Sequence, residues 1–241
     1  MTRLSSALLL LGVLLLAPRA QAATPISGVV ELKLGGYKPG IDGEGGLSGS
    51  PYAASFGDRS LLLFQAEWER QLFQEFGSLA VGVSAGYGEI YGHGHLQPVA
   101  GGPADAAPLS GDSTSLKVVP LKALLVYRFD VLARHLSIPL VPFAKGGLVY
   151  QLYRIEGGSG STSDASGLKG EGGRSGYEGD LGLALLLDVF DPQLAKDFDI
   201  DLGVNHTYFF AEMSFSKIDD FGSKQLRLGD RHLNFGLALE Y

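Results

Sequence analysis

Apolar and polar residues alternate along most of the chain with a period of two, the spacing of a strand that meets a different environment on each side. Eight segments carry the pattern. In the first, Val30, Leu32 and Leu34 alternate with Glu31, Lys33 and Gly35; in the second, Leu62, Phe64, Ala66 and Trp68 alternate with Leu63, Gln65, Glu67 and Glu69. The third sets Leu79, Val81, Val83, Ala85, Tyr87 and Tyr91 against Ala80, Gly82, Ser84, Gly86 and Gly88. The fourth sets Leu121, Ala123, Leu125, Tyr127 and Phe129 against Lys122, Leu124, Val126 and Arg128, and the fifth sets Leu148, Tyr150 and Leu152 against Lys145, Gly147 and Gln151. In the sixth, Tyr177, Gly179, Leu181, Leu183, Leu185 and Leu187 oppose Glu178, Asp180, Gly182, Ala184 and Asp188. The seventh reads Ile200, Leu202, Val204, Tyr208 and Phe210 against Asp199, Asp201, Gly203, Asn205 and Thr207. The last reads Leu233, Phe235, Leu237, Leu239 and Tyr241 against Asn234, Gly236, Ala238 and Glu240.

Three features indicate which face is inside. The non-apolar face mixes long charged side chains (Glu31, Lys33, Glu67, Glu69, Lys122, Arg128, Lys145, Glu178, Asp180) with glycine and alanine. Small residues beside ion pairs suit the filled interior of a narrow barrel better than a wet strand surface. Aromatic residues on the apolar face (Trp68, Tyr87, Tyr91, Tyr127, Phe129, Tyr150, Tyr177, Tyr208, Phe210, Tyr241) gather at strand ends, where an amphipathic ring meets lipid headgroups. Connections alternate between long segments near 38–59, 92–115, 156–176 and 213–228 and compact ones near 73–77, 130–139 and 190–198. The pattern predicts an all-β fold, an eight-stranded antiparallel up-and-down transmembrane barrel. Lipid offers no hydrogen-bond partner, so a sheet crosses it only by closing on itself. A further strand pair would have to come from 52–56 and 96–100, which are too short and too rich in Pro and Gly. The fold alternative is a soluble lipocalin-like barrel, with the apolar face around a ligand cavity.

Composition narrows this further. Glycine supplies 35 of 241 residues, about twice the usual ~7%. A formal charge of −7 argues against a nucleic-acid partner. The chain has no cysteine, which removes disulfides, thiolate metal sites and thiol catalysis together. Residues 1–22 read as a signal peptide: Arg3, the apolar run from Leu8 to Leu16, and Ala20-Gln21-Ala22 before the cleavage point. That run is too short to span a bilayer, and Pro18 and Arg19 close it. The barrel domain is then 23–241.

The chain end Asn234-Phe235-Gly236-Leu237-Ala238-Leu239-Glu240-Tyr241 is similar to the C-terminal signal of bacterial outer-membrane proteins. Together with the signal peptide and the eight strand patterns, the mature chain resembles the small outer-membrane barrels of the OmpA/OmpX type. The segments Ile138-Pro139-Leu140-Val141-Pro142-Phe143-Ala144-Lys145-Gly146-Gly147 and Leu185-Leu186-Leu187-Asp188 are most similar to uncharacterised barrel families of myxobacteria. The resemblance implies residence in the outer membrane of a Gram-negative cell, among its lipid and lipopolysaccharide. It also implies recognition of Asn234, Gly236, Leu239 and Tyr241 by the barrel-assembly machinery. No peptidoglycan-binding domain of the OmpA kind follows the last strand pattern.

Candidate chemistry is sparse. His135-Leu136-Ser137 is similar to the His-x-Ser of outer-membrane lipid A deacylases, but it falls in an inner turn, away from lipopolysaccharide. His93 and His95, with Asp105 or Asp112, lack a third ligand at fixed spacing, so surface-loop histidines are the better reading than a metal site. His206 reads as an interfacial polar residue near Tyr208. We therefore expect no catalytic group, metal or cofactor. The charged interior residues either pair into a plug or line a water path, and a barrel of eight strands is only wide enough to be filled by side chains. The expected role is structural or interactive, with outer loops offered to a surface ligand. A narrow pore and an outer-membrane lipid-modifying enzyme are the alternatives.

Overall fold

A computed structural model describes residues 27–43, 49–95, 109–157, 160–161, 170–223 and 226–241, so the signal segment 1–22 lies outside the described residues. Eight long strands form the wall: β1 (Gly28–Tyr37), β2 (Leu61–Glu75), β3 (Gly77–His95), β4 (Leu109–Arg128), β5 (Leu140–Gly157), β7 (Glu171–Leu186), β8 (His206–Ile218) and β9 (Arg231–Glu240). The two-residue β6 (Gly160–Ser161) pairs only with the tip of β5. Each long strand pairs antiparallel with its sequence neighbours, and β1 pairs with β9 from Val29↔Glu240 to Gly35↔Asn234. That last pairing closes the cylinder and leaves no free edge on the wall.

The two faces of the wall fall as the alternation predicts. Leu32, Leu34, Leu62, Trp68, Val81, Val83, Leu121, Leu125, Leu148, Leu181, Leu183 and Leu237 point outward and are exposed, while Glu31, Lys33, Glu67, Glu69, Lys122 and Arg128 are buried inside. The lipocalin alternative requires the opposite arrangement. Outward aromatics band both ends. At the end where β1 starts and β9 finishes, the turn end, Trp68 Nε1 donates to Tyr241 Oη at 2.6 Å and Tyr127 Oη donates to the Phe76 carbonyl at 2.7 Å. Tyr87, Tyr91, Tyr150 and Tyr177 are exposed toward the opposite, loop end.

The strands exceed what the alternation marked. β3, β4 and β5 have 19, 20 and 18 residues, against the ~9–11 a tilted strand needs to cross a hydrocarbon core. Much of 92–115 and 156–176, expected to be loop, is ladder, with His93 opposite Ser113 and Arg154 opposite Glu171. Gly- and Ser-rich composition signals a turn only when no partner strand is at hand. The segment 52–56 lies within a short helix, α1 (Pro51–Phe56), and 96–100 lies outside the described residues.

The seventh segment is a correction. Ile200 and Leu202 belong to a helix, α3 (Pro192–Leu202), after the short α2 (Val131–Leu136) of the preceding inner connection. Asp191 caps α3 by accepting from the Leu194 amide at 3.0 Å, Pro192 occupies its first turn, and Gly203 ends it at φ 70°, a left-handed cap. Asp-Pro at the start, glycine at the end and Leu194, Phe198 and Leu202 four apart are helix signals that the short alternation at 199–204 masked. The strand therefore begins at His206 with its register shifted by one, which reverses every side chain. Tyr208 and Phe210 point into the barrel, and Phe209 and Phe215 point out.

The interior is stratified. Toward the loop end an apolar layer gathers Tyr37, Leu61, Leu63, Leu116, Val118, Val149 and Ile218 with Ile41, Tyr52 and Phe56, brought in by the 3-10 turn Gly40–Gly43 and α1. Toward the turn end a second layer holds Val29, Val141, Phe143, Ala184, Tyr208, Phe210 and Ala238. Charged side chains lie between them.

Candidate functional site: the ionic interior

Register places Glu31 of β1 directly opposite Glu67 of β2, with Glu69 opposite Val29. Like charges facing each other on adjacent strands repel, so this hairpin needs cations from elsewhere. Two of the three come from across the barrel. Lys145 on β5 places its Nζ on Glu31, 2.9 Å from Glu67, 3.6 Å from Glu212 and 3.7 Å from Glu69. Arg128 on β4 brings Nη2 to 2.5 Å from Glu31 and 2.6 Å from Glu69, while its Nη1 meets the second Glu69 oxygen. The two-pronged contact fixes the planar guanidinium in one orientation. Lys33 on β1 completes the set, at 3.0 Å from Glu67 and 2.6 Å from Glu212. Four carboxylates thus share three cations, all buried.

Glu212 belongs to this cluster but not to the residues expected from sequence, because the misplaced seventh strand ended before it. Phe210, on the same strand, lies with its ring centroid 5.7 Å from Lys145 Nζ, and Phe143 lies 5.3 Å away. Both rings offer the ammonium a π face. Gly236 makes room for one of them, since a Cβ there would fall 2.6 Å from Phe210 Cζ. Asn234 also points inward, donating to Ser214 Oγ at 2.9 Å and to Glu212 at 3.3 Å. Leu239 faces outward, and Tyr241 takes the Trp68 indole bond.

A second interior pair joins Lys122 to Glu178, with Asp180 buried two residues along β7. Gln65, opposite Lys33, is fully buried with both amide atoms unpaired. An unsatisfied buried amide costs about 1–3 kcal/mol, so Gln65→Met is expected to stabilise the barrel by ~1 kcal/mol in urea titrations. An unchanged or lowered midpoint would show that the amide is satisfied in the folded protein.

The other candidates do not assemble. His135 is exposed in the last turn of α2, Ser137 is its left-handed C-cap, and Asp130 of the same turn pairs with Arg134 at 2.7 Å. His93 is exposed near the loop end, and Asp105 lies outside the described residues. Glu31, Glu67 and Glu69 are the one carboxylate or imidazole trio among the described residues close enough to share an ion, and the three cations already occupy their oxygens. His206 Nδ1 lies 2.6 Å from Asp188, whose other oxygen accepts from the Thr207 amide at 3.0 Å, so this pair pins the start of β8. At the loop end Asp42 accepts from the Tyr52 and Ala53 amides at 2.7 and 3.0 Å and holds the start of α1. Burial, with Asp230 nearby, pushes the Tyr52 phenol up to about 12.

A closed antiparallel cylinder with an apolar outer wall and an ion-paired interior is the architecture of a transmembrane β-barrel. Among solved structures the chain is similar to Ail, the attachment invasion locus protein of Yersinia pestis, crystallised with the heparin analogue sucrose octasulfate, at TM-score 0.43 and 12% identity over 90% of this chain and 100% of that one. A major outer membrane protein of Thermus thermophilus gives TM-score 0.45 and 11% identity over the same shares of the two chains, 90% and 100%. The N-terminal β-barrel domain of Pseudomonas aeruginosa OprF gives 0.38 and 12%, again over 90% and 100%. The chain matches no protein-family model and no curated protein sequence.

Proposed function

We propose that the protein is an outer-membrane barrel, exported by the signal peptide of residues 1–22, whose interior is closed by its own side chains and whose work is done at its surface. The observation that carries this reading is the interior cluster, in which Lys33, Arg128 and Lys145 are each bound to two or more carboxylates and none is left to line a water path. The cavity beside Glu31 and Arg128, bordered by Tyr208 and Phe210, has a volume of about 10 Å³, room for roughly one water molecule. The apolar layer at the loop end stands between this cluster and the outer mouth. A permeating ion would have to break several buried ion pairs and part that layer.

The loop end supports the surface role. The ladders of β3, β4 and β5 run past the aromatic band, and α1 is packed into the mouth by Tyr52 and Phe56, giving the outer loops a rigid base. Their partner would be a surface ligand or the lipopolysaccharide around the barrel, and the reading assigns no enzymatic step. Recordings in planar bilayers test it: folded protein is expected to give no resolvable unitary steps. Reproducible steps from heat-modifiable, folded protein would replace this reading with a narrow pore.

A further inference from the structure

The helix α3, Pro192–Leu202, has eleven residues and not one of them is buried. A lone helix of this length is marginal in water, so capping by Asp191 and Gly203 does not by itself explain its persistence. Leu194, Phe198 and Leu202, at spacings of four, form one stripe with Ala195 beside it, and Leu194, Phe198 and Leu202 are 50%, 36% and 62% exposed. Phe190, just before the helix, is 72% exposed. Asp201, three residues after Phe198, and Asp197, three after Leu194, flank one edge of the stripe, while Gln193, Lys196 and Ile200 lie on the opposite side.

Position gives the stripe its occupant. The helix joins β7 to β8, whose outward side chains beside it, Leu183 and Phe209, belong to the apolar outer wall. The chain leaves α3 through Asn205, whose amide donates to the Glu240 carbonyl at 2.7 Å, one residue from Tyr241. Tyr241 in turn holds Trp68 in the aromatic band of the turn end. The helix therefore finishes at the level of the turn-end aromatic band, at the foot of the apolar outer wall.

We propose that α3 is a membrane-interface helix: it lies along the leaflet at the turn end, with Leu194, Phe198 and Leu202 dipped among phospholipid chains, Asp197 and Asp201 at the stripe's edge reaching the headgroups, and the side of Gln193, Lys196 and Ile200 turned to water. Amphipathic helices of this kind bury their apolar face about 5–10 Å into the headgroup boundary. Asp191, Asp197, Asp199 and Asp201 outnumber Lys196, so the capped helix suits zwitterionic headgroups rather than anionic ones. Such a helix fixes the depth and the tilt of the barrel from one side. The inference rests on the membrane reading of the outer wall.

The absence of cysteine makes a clean test possible. Single variants Leu194→Cys, Phe198→Cys and Leu202→Cys on the stripe, Gln193→Cys and Lys196→Cys off it, and Leu181→Cys on the wall are nitroxide-labelled. The folded protein is then placed in phosphatidylcholine vesicles. Collision with lipid-partitioned oxygen and with a water-soluble nickel chelate is read by electron paramagnetic resonance. The expected result is an oxygen-to-nickel ratio several-fold higher at the three stripe positions than at Gln193 and Lys196, with Leu181 higher still. Stripe positions as open to nickel as Lys196, while Leu181 stays lipid-exposed, would overturn the interface helix and leave the barrel reading intact. A nickel-exposed Leu181 would overturn both. Dipolar broadening between stripe labels would place the helix against a second copy of the chain and sink the proposal equally.

Discussion

Lys145→Met is expected to destabilise the folded barrel by about 3–5 kcal/mol, because removing one partner of a buried ionic group strands the others. Lys145 is within 4 Å of Glu31, Glu67, Glu69 and Glu212, and with only Lys33 and Arg128 remaining, carboxylates would be left without a neutralising neighbour in a medium that cannot solvate them. Urea unfolding of vesicle-embedded protein, followed through the lone tryptophan, Trp68, measures the loss. Adding Glu67→Gln to Lys145→Met removes one stranded charge, so the double variant should lose less than the two single losses combined, by ~0.5–3 kcal/mol. Strict additivity would mean that the two groups do not sense each other, and a loss below ~1 kcal/mol for Lys145→Met would mean that water reaches the cluster.

Leu181→Arg tests the outside of the wall as Lys145→Met tests the inside. Leu181 is exposed on β7, between Tyr177 toward the loop end and Leu183 toward the turn end. An arginine on the lipid face near the bilayer midplane costs about 2–4 kcal/mol, falling to ~0–1 near the headgroups. The expected outcome is a loss of that size in vesicles and a much smaller one for the same change at Leu233, near the loop end of β9. Equal, negligible losses at both positions would show that neither side chain meets lipid.

The faces of β1, β2, β3, β7 and β9 were legible because outward apolar residues alternate there with charged, polar or small ones, whereas in β4 and β5 only Lys122, Arg128 and Lys145 marked the inner face beside inward Leu124, Val126 and Val149. Leu32 beside Lys33 and Leu183 beside Ala184 leave little choice of which points where. The inner connection before β8 was not legible for a physical reason. Asp199-Ile200-Asp201-Leu202 satisfies a strand period over a few residues, while the helix is specified by caps and by residues four apart over a longer span. Choosing the shorter signal put Tyr208 and Phe210 on the wrong face and lost Glu212. Of the interior cluster, membership of Glu31, Lys33, Glu67, Glu69, Arg128 and Lys145 could be read from alternation. Their partners could not, since pairing across the cylinder depends on the ring closing between β1 and β9. The apolar layers capping the cluster were hidden likewise, because Tyr37 and Phe56 sit outside any long alternation.

The acids and bases of the cluster are far apart in the chain. Glu31, Glu67 and Glu69 all belong to the first hairpin, which brings only Lys33 of its own to the interior, whereas Arg128 follows Glu69 by 59 residues and Lys145 follows Glu31 by 114. An early β1–β2 intermediate would therefore carry surplus negative charge on the side destined to become dry, and the penalty would persist until the fourth and fifth strands arrive. Arg128 and Lys145 reach these carboxylates only across the cylinder, which the β1–β9 pairing closes, so half-built sheets gain little by existing. Long-range pairings of this kind slow folding, and here they also make insertion of the wall close to all-or-none.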